Sequence, residues 1–85
     1  MNVYVGKWNL LPPEWEGING LYEKSEDEIR DEIHRQANTV KYESYIGIYS
    51  IAEFEEEFNA DNERELNGRT YFIKIFQDGK SVLNL

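Results

Sequence analysis

Residues 44–58, SYIGIYSIAEFEEEF, change period in the middle. Up to Tyr49 the run is rich in β-branched and aromatic residues and alternates along its length, which predicts a strand over 44–49. From Ser50 onward the apolar residues fall at Ile51, Phe54 and Phe58, the spacing of a helix face. The switch carries its own chemistry. Ser50-Ile51-Ala52-Glu53 reads S-x-x-E, a capping box: the serine oxygen accepts from a free N–H of the first turn and the glutamate reaches back to the serine N–H. Tyr49 and Phe54 stand at the hydrophobic-staple positions around it. The helix is short and is expected to end near Asn59.

The same signal recurs upstream at Ser25-Glu26-Asp27-Glu28. There the apolar stripe is Ile29, Ile33, Ala37 and Val40, with Glu26/Arg30 and Asp31/Arg35 as flanking i,i+4 pairs. Two further runs read as strands, 2–9 (NVYVGKWN) and 70–77 (TYFIKIFQ). Asp78-Gly79 suits a two-residue hairpin turn, so 80–84 is a candidate fourth strand. The expected fold is one α+β domain over residues 1–85, a three- or four-stranded sheet in β-α-β-α-β(-β) order. Alternation divides the sheet into an aliphatic face (Val3, Val5, Ile46, Ile48, Tyr71, Ile73, Ile75) and an aromatic one (Tyr4, Gly6, Trp8, Tyr45, Gly47, Tyr49, Phe72, Lys74, Phe76). The reading places both helices on the aliphatic face. Residues 10–22, which begin irregularly and carry Leu10, Leu11, Trp15, Ile18, Leu21 and Tyr22, are expected to cover the aromatic one.

Composition narrows the function classes. The 85 residues contain no cysteine, so disulfides and zinc thiolates are excluded, and the core must come from apolar mass. The opening MNVYVGKWNLL has neither a basic leader nor a long apolar run, so no signal peptide or membrane span is expected. A cytoplasmic location follows as the expectation. The net charge of −8 is unevenly spread. Residues 23–32 carry six acids and two bases, residues 53–65 seven acids and one base, and all the rest four acids and six bases. Two short segments therefore hold the whole excess. Such a field repels nucleic acid and anionic membranes and attracts basic surfaces.

No catalytic or cofactor set emerges. Asn59, Asp61 and Glu63 have the first three spacings of a calcium loop, but Arg64 stands where glycine is wanted and Thr70 where a bidentate glutamate belongs. His34 is the only histidine, with no serine or cysteine arrangement to serve. GRTYFIKIF (68–76) lacks the glycine-aromatic core of RNA-recognition strands. The expectation is a protein that is not an enzyme and needs no cofactor, and that binds another protein with a basic surface. The candidate contacts are Glu53, Glu55, Glu56, Glu57 and Asp61, joined by Glu26, Asp27 and Asp31. The alternative is a homodimer or scaffold domain associating through Tyr4, Trp8, Tyr45, Tyr49 and Phe72.

AEFEEEFNAD (52–61), following a short strand, resembles the acidic helix of ArdA-type antirestriction proteins, and VYVGKWN (3–9) is similar to their opening strand. The resemblance covers about a third of the chain. It implies a DNA-mimic inhibitor carried by a mobile element or phage, with Glu53, Glu55, Glu56, Glu57 and Asp61 standing in for phosphates.

Overall fold

The computed structural model describes residues 1–15, 20–21, 23–41, 45–58 and 70–84, the last four of these as backbone only. Four strands form one antiparallel sheet: β1 (Asn2–Lys7), β2 (Gly47–Ser50), β3 (Tyr71–Gln77) and β4 (Lys80–Asn84), in the order β2-β1-β3-β4. Two helices flank it, α1 (Glu26–Thr39) and α2 (Ile51–Glu57). The protein is α+β, with its elements in the order that the local signals predict.

Those signals act as read. Ser25 Oγ accepts from Glu28 N–H at 3.3 Å, and Ser25 N–H donates to Glu28 Oε2 at 2.8 Å. Ser50 Oγ accepts from Glu53 N–H at 3.2 Å, and the Glu53 carboxylate accepts from Ser50 N–H at 3.4 Å. At the other end of the chain Asp78 and Gly79 both take positive φ, 51° and 77°, with Gln77 paired to Lys80 across the turn. That is the primed geometry whose twist matches the strands it joins.

The placement of the helices differs from expectation. They lie on opposite faces of the sheet, not together on one. Phe54 of α2 and Phe58, which caps that helix, pack on Val3, Val5, Tyr71, Ile73 and Ile75. Ile29 and Ile33 of α1 pack with Leu21 on Tyr4, Phe72 and Phe76, and Trp8, Leu11 and Trp15 border that cluster. Residues of the 10–22 segment do reach the aromatic face, but they share it with α1.

Gly6 supplies one physical reason. A methyl group there would stand 2.5 Å from the Phe72 ring and 2.8 Å from Ile33 Cδ1, so its bare Cα is the seat on which α1 rests. The second reason is register. Tyr49 pairs with Val3 and Ile48 with Tyr4, so Tyr49, with Tyr45 before the strand, joins the aliphatic face and Ile48 joins the aromatic one. Both parities of 45–49 are apolar, and a one-residue change of phase exchanges the faces. The strand also begins later than predicted, because Tyr45 takes φ 73°, a left-handed conformation that interrupts extended backbone. β1 likewise ends at Lys7, and Trp8–Leu10 close into a 3-10 turn.

Both helices run alongside β1 in its own direction. At one end of α1, Glu26 Oε2 accepts from Asn2 Nδ2 at 3.2 Å and from the Tyr4 hydroxyl at 2.8 Å. At the other, Gln36 Oε1 accepts from Lys7 N–H at 2.9 Å while its Nε2 donates to Lys7 O at 3.3 Å. Ten helical residues rise about 15 Å and five extended ones about 17 Å, so the two spans match. The stripe of α1 is accordingly Ile29, Ile33 and Gln36, whereas Ala37 is exposed. Lys74, 0% exposed on the same face, donates from Nζ to Leu21 O at 3.0 Å and Lys24 O at 3.3 Å. It ties the chain entering α1 to the sheet, and burial lowers its pKa.

Candidate partner-binding surface

The acidic residues divide according to what the fold has done with them. On α1 they are largely engaged. Glu26 holds Asn2 and Tyr4, and the Tyr4 hydroxyl also accepts from Arg30 Nη2 at 3.3 Å. The hydrogen bond from Tyr4 draws the Glu26 carboxyl below its ordinary pKa. Burial first, then that same bond, raises the pKa of Tyr4. Asp27 pairs with Arg30 at 2.8 Å. Glu32, nearly buried, pairs with Arg35, whose guanidinium also donates to Leu10 O and so clasps the 3-10 turn to the helix. The ion pairs are therefore i,i+3, not the i,i+4 pairs expected, because the Tyr4 hydroxyl stands between Glu26 and Arg30 and Arg35 turns toward Glu32. Asp31 is exposed, with no hydrogen bond or ion pair among the described residues.

On α2 the division is reversed. Glu53 belongs to the capping box. Glu55, Glu56 and Glu57 are exposed and make no hydrogen bond or ion pair among the described residues. The helix is anchored from beneath by Phe54 and Phe58, whose rings stack with centroids 4.6 Å apart. Phe58 also meets Tyr45 at 4.9 Å and Tyr49 at 5.5 Å. A short helix fixed by two phenylalanines holds three consecutive carboxylates outward. Asp61 lies outside the described residues. The two acidic helices sit on opposite faces, yet both start at the same end of the sheet, because Ser50 pairs with Asn2 and Glu26 bonds to Asn2.

The aromatic set does not form one surface. Tyr4 and Phe72 are 0% and 1% exposed beneath α1, and Tyr45 and Tyr49 belong to the opposite face. Trp8 is half-buried against Phe72, ring centroids 5.6 Å apart, and its buried Nε1 has no hydrogen-bond partner among the described residues. The edge-strand parity that separates Tyr49 from Tyr4 also dissolves the expected patch.

Sequence reasoning missed the burial of Glu32 and Gln36, and it placed Lys74 on the aromatic face without the backbone bonds that hold it there. Each left a signal: Glu32 and Gln36 stand three residues after Ile29 and Ile33 of the apolar stripe, and Lys74 alternates with Phe72 and Phe76. Among the described residues no group of three or more acidic or histidine side chains is placed to hold a metal ion, and no helix is long and apolar enough to cross a membrane. Comparison with family models, curated proteins and solved structures finds no match to this chain.

Proposed function

We propose that this chain is a small acidic protein-binding domain, not a catalyst, acting in the cytoplasm on a partner with a basic surface. The observation that carries the reading is the outer side of α2. Glu55, Glu56 and Glu57 are exposed and unengaged among the described residues, while Glu26, Asp27 and Glu32 of α1 are tied into the fold. Carboxylates that hold nothing inside the molecule, on a chain of net charge −8, favour encounter with positive charge. In its sharpest form the partner is a nucleic-acid-binding protein and the carboxylates imitate phosphates. Duplex DNA presents about one charge per ~1.7 Å of axis. The resemblance to antirestriction proteins supports the same form, with Asp61 extending the set.

The test is the triple variant Glu55→Gln/Glu56→Gln/Glu57→Gln, which removes charge while keeping bulk and leaves the Ser50–Glu53 cap intact. Proteins retained from lysate on the immobilised wild type at low salt are identified as salt rises. Their association with both forms is then timed, with duplex DNA as competitor. The expected result is slower association with the variant and a flatter salt dependence, since complementary charge acts largely on encounter rate. Displacement by duplex DNA marks the mimic. Equal rates for both forms across salt would return these carboxylates to solvated surface.

A further inference from the structure

The two edges of the sheet are finished differently. β4 opens with Lys80, and its register against β3 shifts between Ile75 and Phe76. A lysine and a bulge both discourage the addition of another strand. β2 has neither. Its pairing runs unbroken from Asn2↔Ser50 to Val5↔Gly47, and Gly47, Ile48, Tyr49 and Ser50 include no charge and no proline.

The outward groups of this edge follow from the pattern of the ladder. In an antiparallel sheet, successive residues turn their N–H and C=O to opposite sides. Lys7 turns both toward the β2 side, where Gln36 takes them, and Trp8 N–H turns the other way to Thr70 O at 3.1 Å. Val3 and Val5 therefore face β2, Tyr49 and Gly47 answer them, and the N–H and C=O of Ile48 point out of the sheet. Neither group of Ile48 has a hydrogen-bond partner among the described residues.

Charge borders the same edge. α2 lies on the Tyr49 side of β2, and Glu53 and Glu57 stand one turn apart along it. Burial first, then the charge of Glu57 and more weakly that of Glu53, keeps the Tyr49 phenol protonated to higher pH. Phe54 and Phe58 set α2 against the half-buried Tyr49 ring, so Glu53 and Glu57 belong to the helix that borders this strand.

We propose that β2 accepts an extended, lysine- or arginine-bearing segment of the partner as a fifth strand, its basic side chains meeting Glu53 and Glu57 beside Tyr49. The inference rests on the reading of the protein as an acidic binding domain and says how the partner is held. Main-chain bonds to an edge supply affinity, and alternate side chains supply selectivity. A second copy of this chain is the poorer occupant, because it would set one charge of −8 against another. The four residues of β2 offer about 13 Å of edge, which suits a short segment.

The probe is a short peptide alternating lysine with valine, compared with one in which glutamate replaces lysine. Its affinity is measured for the wild type, Ile48→Pro and Glu57→Gln, together with amide hydrogen exchange at Ile48. Proline at 48 removes the outward N–H and leaves the bonds to β1 in place, while also trimming an apolar side chain that packs on the aromatic face. The lysine peptide is expected to bind, to slow exchange at Ile48, to lose about tenfold or more in affinity on Ile48→Pro, and to lose about threefold to tenfold on Glu57→Gln. If Ile48→Pro fails to fold, exchange at Ile48 in the wild type decides the matter. Unchanged exchange and full affinity for Ile48→Pro, with affinity still lost on Glu57→Gln, would overturn strand addition and leave the acidic surface standing. Failure of the lysine peptide to bind, or equal binding of the glutamate peptide, would also overturn the inference. The salt dependence of the triple glutamine variant tests the acidic-surface reading separately.

Discussion

α1 and α2 begin with the same four-residue device and end in opposite employment. Each is capped by a serine and a glutamate three residues on, and each is rich in acid. α1 has 14 residues and is fastened to the sheet at both ends, by Glu26 to Asn2 and Tyr4 and by Gln36 to Lys7. α2 has seven and is held by the rings of Phe54 and Phe58. Where polar side chains do the fastening, the acids are consumed by the fold. Where rings do it, they remain available. An acidic count therefore says little about function until each carboxylate is assigned to an internal partner or to none.

That contrast breaks most severely at Phe58, whose ring meets Phe54, Tyr45 and Tyr49 together. Phe58→Ala is expected to cost about 3–5 kcal/mol in chemical denaturation. A loss below 1 kcal/mol would mean that α2 is not held by its rings. Gly6→Ala probes the other face. Its added methyl meets the Phe72 ring and Ile33, and overpacking of this kind costs about 1–3 kcal/mol. An unchanged denaturation midpoint would show that α1 does not rest on Gly6. Ser25→Ala and Ser50→Ala compare the shared device directly, each with an expected loss of about 0.5–2 kcal/mol. Equal losses would mean that the caps contribute alike despite the difference in fastening.

The smallest expected effect is one of pH. Glu26 has a folded pKa below its ordinary value, chiefly because the Tyr4 hydroxyl donates to it. The stability it contributes is present above the ordinary carboxylate value and is lost as pH falls through the lowered folded value. Tyr4→Phe removes the largest cause, so the acid-side decline in stability should become shallower. Titration of the Glu26 carboxyl by NMR checks it. A carboxyl titrating at the same pH in Tyr4→Phe and wild type would remove Tyr4 as the cause.

Much of this arrangement was legible in the chain, but unevenly. The caps at Ser25 and Ser50 and the Asp78-Gly79 turn involve groups within a few residues of one another, so their chemistry is complete in the local sequence. The face of each helix was not. It depends on whether Tyr49 or Ile48 opposes Val3, and both choices present apolar side chains, so burial gave no local preference. Gly6 held the deciding information in the absence of a side chain, which periodicity does not weigh. The acidic site was legible as composition alone. Which carboxylates were spoken for depended on Tyr4, 22 residues from Glu26. The distinction between Glu26 and Glu57 is therefore tertiary.

Gln36 gives the fold a gauge. Its amide takes both backbone groups of Lys7 just beyond the last β1–β2 pair, Val5↔Gly47, so a side chain continues the ladder where a strand would otherwise stand. A primary amide offers a donor and an acceptor side by side, as a peptide does. The rotation of α1 about its own axis is thereby read against the backbone of β1. Apolar packing alone would tolerate a helix turned by a fraction of a residue, but this doubly matched pair does not. The helix is clocked as well as seated, and one glutamine sets the angle at which the whole outer side of α1 meets solvent.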